Sequence, residues 1–306
     1  MLGIEAIASY IPKKRISNYD RKKKFGITDE FIKDKIGVER IAIKDDSEDT
    51  SDLCVSAYEN LKKKFDINEN EIEIIVVITQ NPDYTLPQTS AILHGKLGLN
   101  TSCAAFDVSL GCSGFVYGVS IIQSFMNANG FKKGLLFTAD PYSKIIDPDD
   151  KNTSLLFGDA AAVTVISDNP VFVADKFTFA TAGKSYKDLI CEDKVLYMNG
   201  RGIFNFVVKQ IPDDIDRVIE KNGLIKDDID VFLIHQASRI IVSTLTRKMN
   251  LPEEKVMYDM HDYGNTVSTS IPILFEKIIH DNKIKLALAS GFGVGLSYAS
   301  TVFRRV

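Results

Sequence analysis

Short apolar runs alternate along the chain with segments of helical pattern. Residues 67–80 and 225–236 both begin with polar, acidic positions and continue into a β-branched run that ends in glutamine. A second pair, 120–140 and 270–290, has the pattern of a helix, a short polar break and an apolar strand. Continuous apolar strands between helices predict a largely parallel sheet buried on both faces. The two pairs, in the same order, predict an internally duplicated α/β fold.

The repeated patterns divide the chain into two halves. The first ends with the apolar strand AAAVTVIS, so we expect one half at 1–168 and the other at 169–306. Shifting the second pair of patterns back by about 150 positions brings the segment YGNT (263–266) close to Cys112. A duplicated fold would bring the two corresponding helix starts together about a pseudo-twofold axis.

Composition excludes several classes of protein. The 306 residues are 45% hydrophobic and 25% charged, with a net charge of −4 and an isoelectric point near 5.7. This balance does not indicate a nucleic-acid or bilayer binder. No apolar run approaches the ~20 residues of a membrane span, and the first residues lack the pattern of a signal peptide. We therefore expect a cytoplasmic protein with no nucleic-acid partner and no membrane insertion.

Cysteine usage predicts neither a metal site nor a disulfide framework. Cys54, Cys103, Cys112 and Cys191 lie far apart, with no C-x-x-C pair, and the chain has only four histidines. Zinc sites need closer spacing, so we expect no metal. Most free cysteines are inert core residues, and residue type alone does not mark any of the four as catalytic.

Three residues stand where an α/β sheet forms its sites. Cys112 lies between Gly111 and Gly114, at the point where an apolar strand turns into an apolar helix; His235 ends an apolar strand, and Asn265 precedes a helix. A helix N-terminus lowers the pKa of a nearby thiol, and His and Asn side chains can donate hydrogen bonds to an oxyanion. Taken alone, His235 is better explained as a core histidine, and Asn265 is consistent with a helix cap or a turn residue.

Beyond these positions the chain resembles the β-ketoacyl-ACP synthase III family of the thiolase superfamily over nearly its whole length. The resemblance lies in AAFDVSLGCSGFVYG (104–118), LLFGDAAAVTVI (155–166), HQASRII (235–241), YGNTVSTSIP (263–272) and GFGVG (291–295). It implies a thiolase-like, five-layered αβαβα fold with internal duplication. It also implies a homodimer, no tightly bound cofactor, and acyl-CoA and acyl carrier protein as substrates.

The resemblance also implies roles for individual residues. Cys112 would accept an acyl group, while His235 and Asn265 would stabilise the enolate formed when a malonyl thioester decarboxylates. The backbone N–H groups of Cys112 and Val294 would form the oxyanion hole. Leu86 and Phe157 would line an acyl pocket, with Leu86 reaching the pocket of the partner. CoA or its pantetheine arm would contact a further set of residues: Phe31, Lys35, Lys151, Arg201, Phe204 and Ser238.

Departures from the family pattern keep the donor and the acceptor open. The chain has no tryptophan to stack on adenine, lysine replaces arginine at 35 and 151, and HQAS stands where HQAN is usual. The main hypothesis is a condensing enzyme. The alternatives are an acyltransferase of the same fold that acts on a hydroxyl or amine, and a non-catalytic interaction protein.

Overall fold

The computed structural model describes all residues from Met1 to Val306. Its strands are β1 (Gly3–Tyr10), β2 (Arg15–Ser17), β3 (Arg40–Ala42), β4 (Ile74–Ile78), β5 (Ala104–Val108), β6 (Lys133–Ala139), β7 (Ala161–Ser167), β8 (Phe172–Thr181), β9 (Leu189–Glu192), β10 (Val195–Met198), β11 (Val231–Ile234), β12 (Leu286–Gly293) and β13 (Ser297–Arg305). Its α-helices are α1 (Lys22–Phe25), α2 (Thr50–Lys62), α3 (Thr89–Leu97), α4 (Gly114–Asn129), α5 (Lys151–Ser154), α6 (Gly200–Lys221), α7 (Arg239–Lys248) and α8 (Ser270–Ile278). No helix is both long enough and apolar enough to cross a membrane.

Nine strands are hydrogen-bonded to one another in the order β11-β12-β13-β8-β1-β7-β6-β4-β5. One residue pair, Ile4 with Phe172, joins β1 to β8. Each half therefore contributes its own sheet, and the two meet at this single pairing.

The sheets are mixed, so the predicted largely parallel sheet is wrong in part. Parallel pairing occurs between β4 and β5, β4 and β6, and β11 and β12, whereas the pairs involving β1, β7, β8 and β13 are antiparallel. A continuous apolar run reports burial on both faces of a strand. It carries no information about the direction of its neighbour.

Successive side chains of β4 and β11 point alternately to the outer helices and to the helices between the sheets. In β4, Ile75 and Val77 pack with α2 and α3 on the outside, while Ile74, Val76 and Ile78 pack with α4 and α8 between the sheets. The same division occurs in β11, where the outward residues pack with α6 and α7 and the inward ones with α4 and α8. The order of layers is helices, sheet, helices, sheet, helices. The predicted five-layered αβαβα fold is confirmed.

The two sequence repeats correspond in the structure. Short 3₁₀ turns at Glu69–Glu71 and Lys226–Asp228 lead into β4 and β11, and α4 and α8 share the central layer. The expected division between residues 168 and 169 lies in the link between β7 and β8. Because α4 and α8 begin side by side, the segments before them, which carry Cys112 and Asn265, come to one place.

Candidate active site

Close packing against β4 explains the glycines around Cys112. A Cβ on Gly114 would lie 2.3 Å from Cγ2 of Ile78, and a Cβ on Gly111 would lie 2.5 Å from Oε1 of Gln80. A larger residue at Gly114 would push the loop away from β4, whereas one at Gly111 would displace the side chain of Gln80. The structure therefore gives these glycines a packing role beside the nucleophile.

Cys112 is buried, at 4% exposure, two residues before α4 begins. The backbone N–H groups of Cys112 and Val294 both face its Sγ. A Cβ on Gly293 would lie only 2.7 Å from this sulfur. The GFGVG loop therefore leaves just enough room for the thiol and presents a backbone donor to it.

The expectation that the helix start lowers the pKa of this thiol is wrong. Burial raises the pKa of Cys112 well above its usual value, and the nearby charge of Asp140 raises it further. The N–H groups of Cys112 and Val294 act in the opposite direction but do not compensate. Loss of solvation thus outweighs the field of the helix terminus, and the resting group is a thiol.

His235 follows β11 and is 1% exposed. Its Nδ1 lies 2.7 Å from Oγ of Ser270, and its ring meets the ring of Phe292 edge-on at 5.4 Å between centres. Burial lowers the pKa of His235 to about 3, so the imidazole is neutral at physiological pH. When the Ser270 hydroxyl donates to Nδ1, the ring proton is on Nε2, which becomes a hydrogen-bond donor.

Asn265 is fixed by main-chain contacts with the LLFGDA segment. Its N–H donates to the carbonyl of Leu156 at 2.8 Å, and its carbonyl accepts from the N–H of Gly158 at 3.0 Å. A Cβ on Gly158 would lie 1.8 Å from the carbonyl oxygen of Tyr263, so this contact requires glycine. The side-chain Oδ1 accepts from the N–H of Val267 at 2.9 Å, which leaves the Nδ2 group as the donor.

One channel of about 680 Å³ contains the Cys112, His235 and Asn265 side chains. Its other walls include every residue that the resemblance assigned to CoA or pantetheine, and also one of the two acyl-pocket residues: Phe31, Lys35, Lys151, Phe157, Arg201, Phe204 and Ser238. The structure therefore brings these scattered positions to one continuous space.

A π-helix, Phe31–Ile36, contributes one wall of the channel. The Nζ atoms of Lys35 and Lys151 lie 5.3 and 5.1 Å from the centre of the Phe31 ring. An aromatic face with two ammonium groups beside it can stack on a base and pair with phosphate.

Two predicted residues lie outside this channel. Val294 lines a second cavity of about 410 Å³, together with Gln80, Tyr142 and Leu189. Leu86 is 84% exposed and lines neither cavity within one chain.

Sequence analysis missed three residues of the site. Tyr142 packs its ring 5.0 Å from that of Phe157, Ser270 contacts His235, and Gly293 contacts Cys112. The only signal for Ser270 and Gly293 was membership of the YGNTVSTSIP and GFGVG motifs, and Tyr142 had none.

Comparison with known proteins agrees with this architecture. Family models described as 3-oxoacyl-[acyl-carrier-protein] synthase III and as its C-terminal region match residues 106–182 and 219–305. The β-ketoacyl-[acyl-carrier-protein] synthase III of Geobacillus kaustophilus is 36% identical, covering 99% of this chain and 98% of that protein. The β-ketoacyl-[acyl-carrier-protein] synthase III 1 of Bacillus cereus is 34% identical with the same coverage.

Solved structures extend the similarity to three dimensions. A crystal structure of a 3-oxoacyl-(acyl-carrier protein) synthase from Burkholderia xenovorans superposes with a TM-score of 0.91 at 31% identity, covering 99% of this chain and 94% of that one. The full-length identity, the matching family models and the shared layers lead to one conclusion. The chain belongs to the β-ketoacyl-[acyl-carrier-protein] synthase III family, a group of acyl-transferring condensing enzymes with a thiolase-like fold.

Proposed function

We propose that Cys112 accepts an acyl group from an acyl thioester and passes it to the carbon of a decarboxylated malonyl thioester. In the first half-reaction the sulfur attacks the thioester carbonyl. The bond between that carbon and the donor sulfur breaks, and the thiol proton leaves with the departing thiol. The N–H groups of Cys112 and Val294 hold the oxyanion, and such a donor is worth about 10²–10³ in rate.

In the second half-reaction the malonyl carboxylate leaves as carbon dioxide, and its electron pair forms an enolate. Nε2–H of His235 and Nδ2–H of Asn265 donate to the enolate oxygen. The enolate carbon then attacks the acyl-Cys112 thioester. A carbon–carbon bond forms, the carbon–sulfur bond breaks, and the sulfur regains a proton from solvent.

A single observation carries this proposal: a thiol, a neutral imidazole and an amide share one channel. The properties of His235 also favour condensation over acyl transfer to a hydroxyl or amine. A general base works best with a pKa near the operating pH, and burial lowers the pKa of His235 to about 3. Such a group is a poor base and a good neutral donor, as enolate stabilisation requires.

Two surfaces support the proposed substrates. Phe31, Lys35 and Lys151 suit the adenine and phosphates of an acyl-CoA. On α7, Arg239 and Arg247 are exposed, and Arg239 directly follows the channel residue Ser238. Basic side chains there could receive an acidic acyl carrier protein and steer its encounter with the channel.

We propose further that the enzyme is a homodimer. Strand β5 is at the end of the sheet and pairs only with β4, and an open edge of this kind can pair with another chain. The 84% exposure of Leu86 is explained if it enters the pocket of a second copy. The free cysteines fit the reducing cytoplasm, where we propose the enzyme acts.

Intact-protein mass spectrometry tests the proposal. Wild type and Cys112→Ala are incubated with acyl-CoAs and acyl carrier proteins, then chased with malonyl carrier protein. We expect an adduct on wild type alone, discharged as a ketoacyl product. His235→Ala and Asn265→Ala should lose decarboxylation while Cys112 is still acylated. An adduct that persists through the malonyl chase and passes to an alcohol or amine would overturn the condensing mechanism.

A further inference from the structure

Asp140 is a fully buried carboxylate that the proposed reaction does not use. It directly follows β6 and has 0% exposure. Its Oδ1 accepts from the backbone N–H of Gln80 at 2.7 Å, and its Oδ2 accepts from the hydroxyl of Ser268 at 2.5 Å. Both partners belong to segments that border the reacting groups.

Ser268 lies in the middle of the segment 265–270, which carries two residues of the site. Asn265 is at its start, and Ser270, which contacts Nδ1 of His235, is at its end. The next residue, Thr269, donates to the carbonyl of Thr138 at 3.0 Å. Two adjacent side chains of this segment are thus tied to the end of β6.

This segment needs hydrogen bonds to other parts of the chain because its own backbone is strained. Val267 is buried and has a φ of +53°, a region that a β-branched residue rarely adopts. Such a conformation persists only when its surroundings impose it. The hydrogen bond from Ser268 to Asp140 is made by the residue next to it.

The other oxygen of Asp140 fixes Gln80 beside the nucleophile loop. Oε1 of Gln80 lies within 2.5 Å of where a Cβ on Gly111 would be, and it accepts from the hydroxyl of Tyr142 at 3.1 Å. One carboxylate therefore touches both the segment next to Cys112 and the segment that carries Asn265.

We propose that Asp140 is a positioning residue, whose two oxygens fix the 265–270 segment and Gln80 relative to Cys112. This proposal rests on the proposed function, since the geometry it maintains is that of the decarboxylating and acylated groups. Asp140 does not contact the substrate itself and affects the reaction only through the positions of Asn265, Ser270 and the Cys112 loop.

The charge of Asp140 gives a readout that a purely structural residue would lack. Burial raises the pKa of Asp140 to about 6, against its hydrogen bonds from Ser268 and Gln80, so it is ionised at pH 8. The titratable groups that face it are Cys54, Cys112 and Tyr142, and its charge raises the pKa of each. Removing the charge should therefore make Cys112 easier to ionise.

Two variants separate the charge from the contact. Asp140→Asn keeps the shape and removes the charge, whereas Ser268→Ala keeps the carboxylate and removes the hydrogen bond. Asp214→Asn is the matched control, since Asp214 is also fully buried and accepts from two hydroxyls, Thr178 and Ser300. Each variant is assayed for malonyl decarboxylation, for iodoacetamide alkylation of Cys112 from pH 6 to pH 10, and for thermal unfolding.

We expect Asp140→Asn to speed alkylation of Cys112 at pH 8 by up to about tenfold, which corresponds to one pKa unit. The rate of decarboxylation should fall about tenfold in both Asp140→Asn and Ser268→Ala. Each variant loses one hydrogen bond that positions the reacting groups, and the net free energy of such a bond corresponds to about this factor in rate. Asp214→Asn should change neither rate.

Wild-type rates of decarboxylation and alkylation in a folded Asp140→Asn protein would overturn the inference. If Asp140→Asn does not fold, a folded Ser268→Ala with wild-type decarboxylation would overturn it instead. Failure of the proposed function is a separate result: wild type itself would then not decarboxylate malonyl carrier protein. The alkylation rates would still report whether Asp140 acts on Cys112.

Discussion

Gly293→Ala should disable Cys112 without unfolding the protein. The new Cβ would lie 2.7 Å from both Sγ and Cβ of Cys112, whereas non-bonded carbon atoms rest at about 3.5–4.0 Å. The deficit of about 1 Å must be met by moving the cysteine or the loop. The φ of Gly293 is 171°, which any residue adopts, so the effect comes from the contact and not from backbone strain.

A displacement of this size is large for catalysis and modest for stability. A misplacement of about 1 Å can cost about 10²-fold in rate, whereas overpacking a core costs about 1–3 kcal/mol of the roughly 5–15 kcal/mol that stabilises a domain. We therefore expect acylation of Cys112 to slow about a hundredfold while the variant remains folded.

The measurement is the rate of acyl-enzyme formation by mass spectrometry, with thermal unfolding recorded in parallel. Gly95→Ala is the control, because no atom lies within 4 Å of the added methyl group and alanine is favoured inside a helix such as α3. A folded Gly293→Ala protein that acylates at the wild-type rate would refute the steric argument.

Three further predictions concern His235, Ser270 and Leu86. Because burial lowers the pKa of His235 to about 3, its NMR signals, assigned with His235→Ala, should not titrate between pH 5 and 8. The contribution of neutral His235 to the free energy of unfolding should be complete above pH 6.5 and be lost as the pH falls towards 3. An NMR titration of its ring with a midpoint near pH 6.5 would contradict the burial argument. Ser270→Ala removes the 2.7 Å contact to Nδ1 and should reduce decarboxylation about tenfold while acylation continues, so equal losses in both half-reactions would exclude this role. Leu86→Glu should leave the fold of the chain intact, since the side chain is 84% exposed, but should dissociate the proposed homodimer in analytical ultracentrifugation. A dimer of unchanged stability would show that Leu86 does not lie in the interface.

The family resemblance implied the five layers, and the local pattern of burial predicted strands covered on both faces. Strands such as β4 and β11 are apolar at every position, since one face meets outer helices and the other meets the central pair. The paired repeats also located α4 and α8 correctly. Strand direction was not predictable in this way, because a residue buried on both sides has the same composition beside a parallel or an antiparallel neighbour.

Burial explains why the expectation of a lowered pKa for Cys112 was wrong. Sequence position placed the thiol at a helix start, and that placement is correct. The helix start lies between two sheets, however, and burial there raises the pKa more than two N–H groups lower it. The same burial makes His235 neutral, a property that its place at a strand end did not reveal.

The sequence by itself determined the type of chemistry, the layers and the three reacting side chains of the channel, because residue type and motif carry the family resemblance that implies them. Only the tertiary structure decided which groups meet and how they ionise. Asp140, Ser270 and Gly293 contact the site from segments far apart along the chain, and such contacts leave no local pattern. Desolvation is likewise a property of the whole packed molecule, so the pKa values of Cys112 and His235 were fixed only when both halves came together.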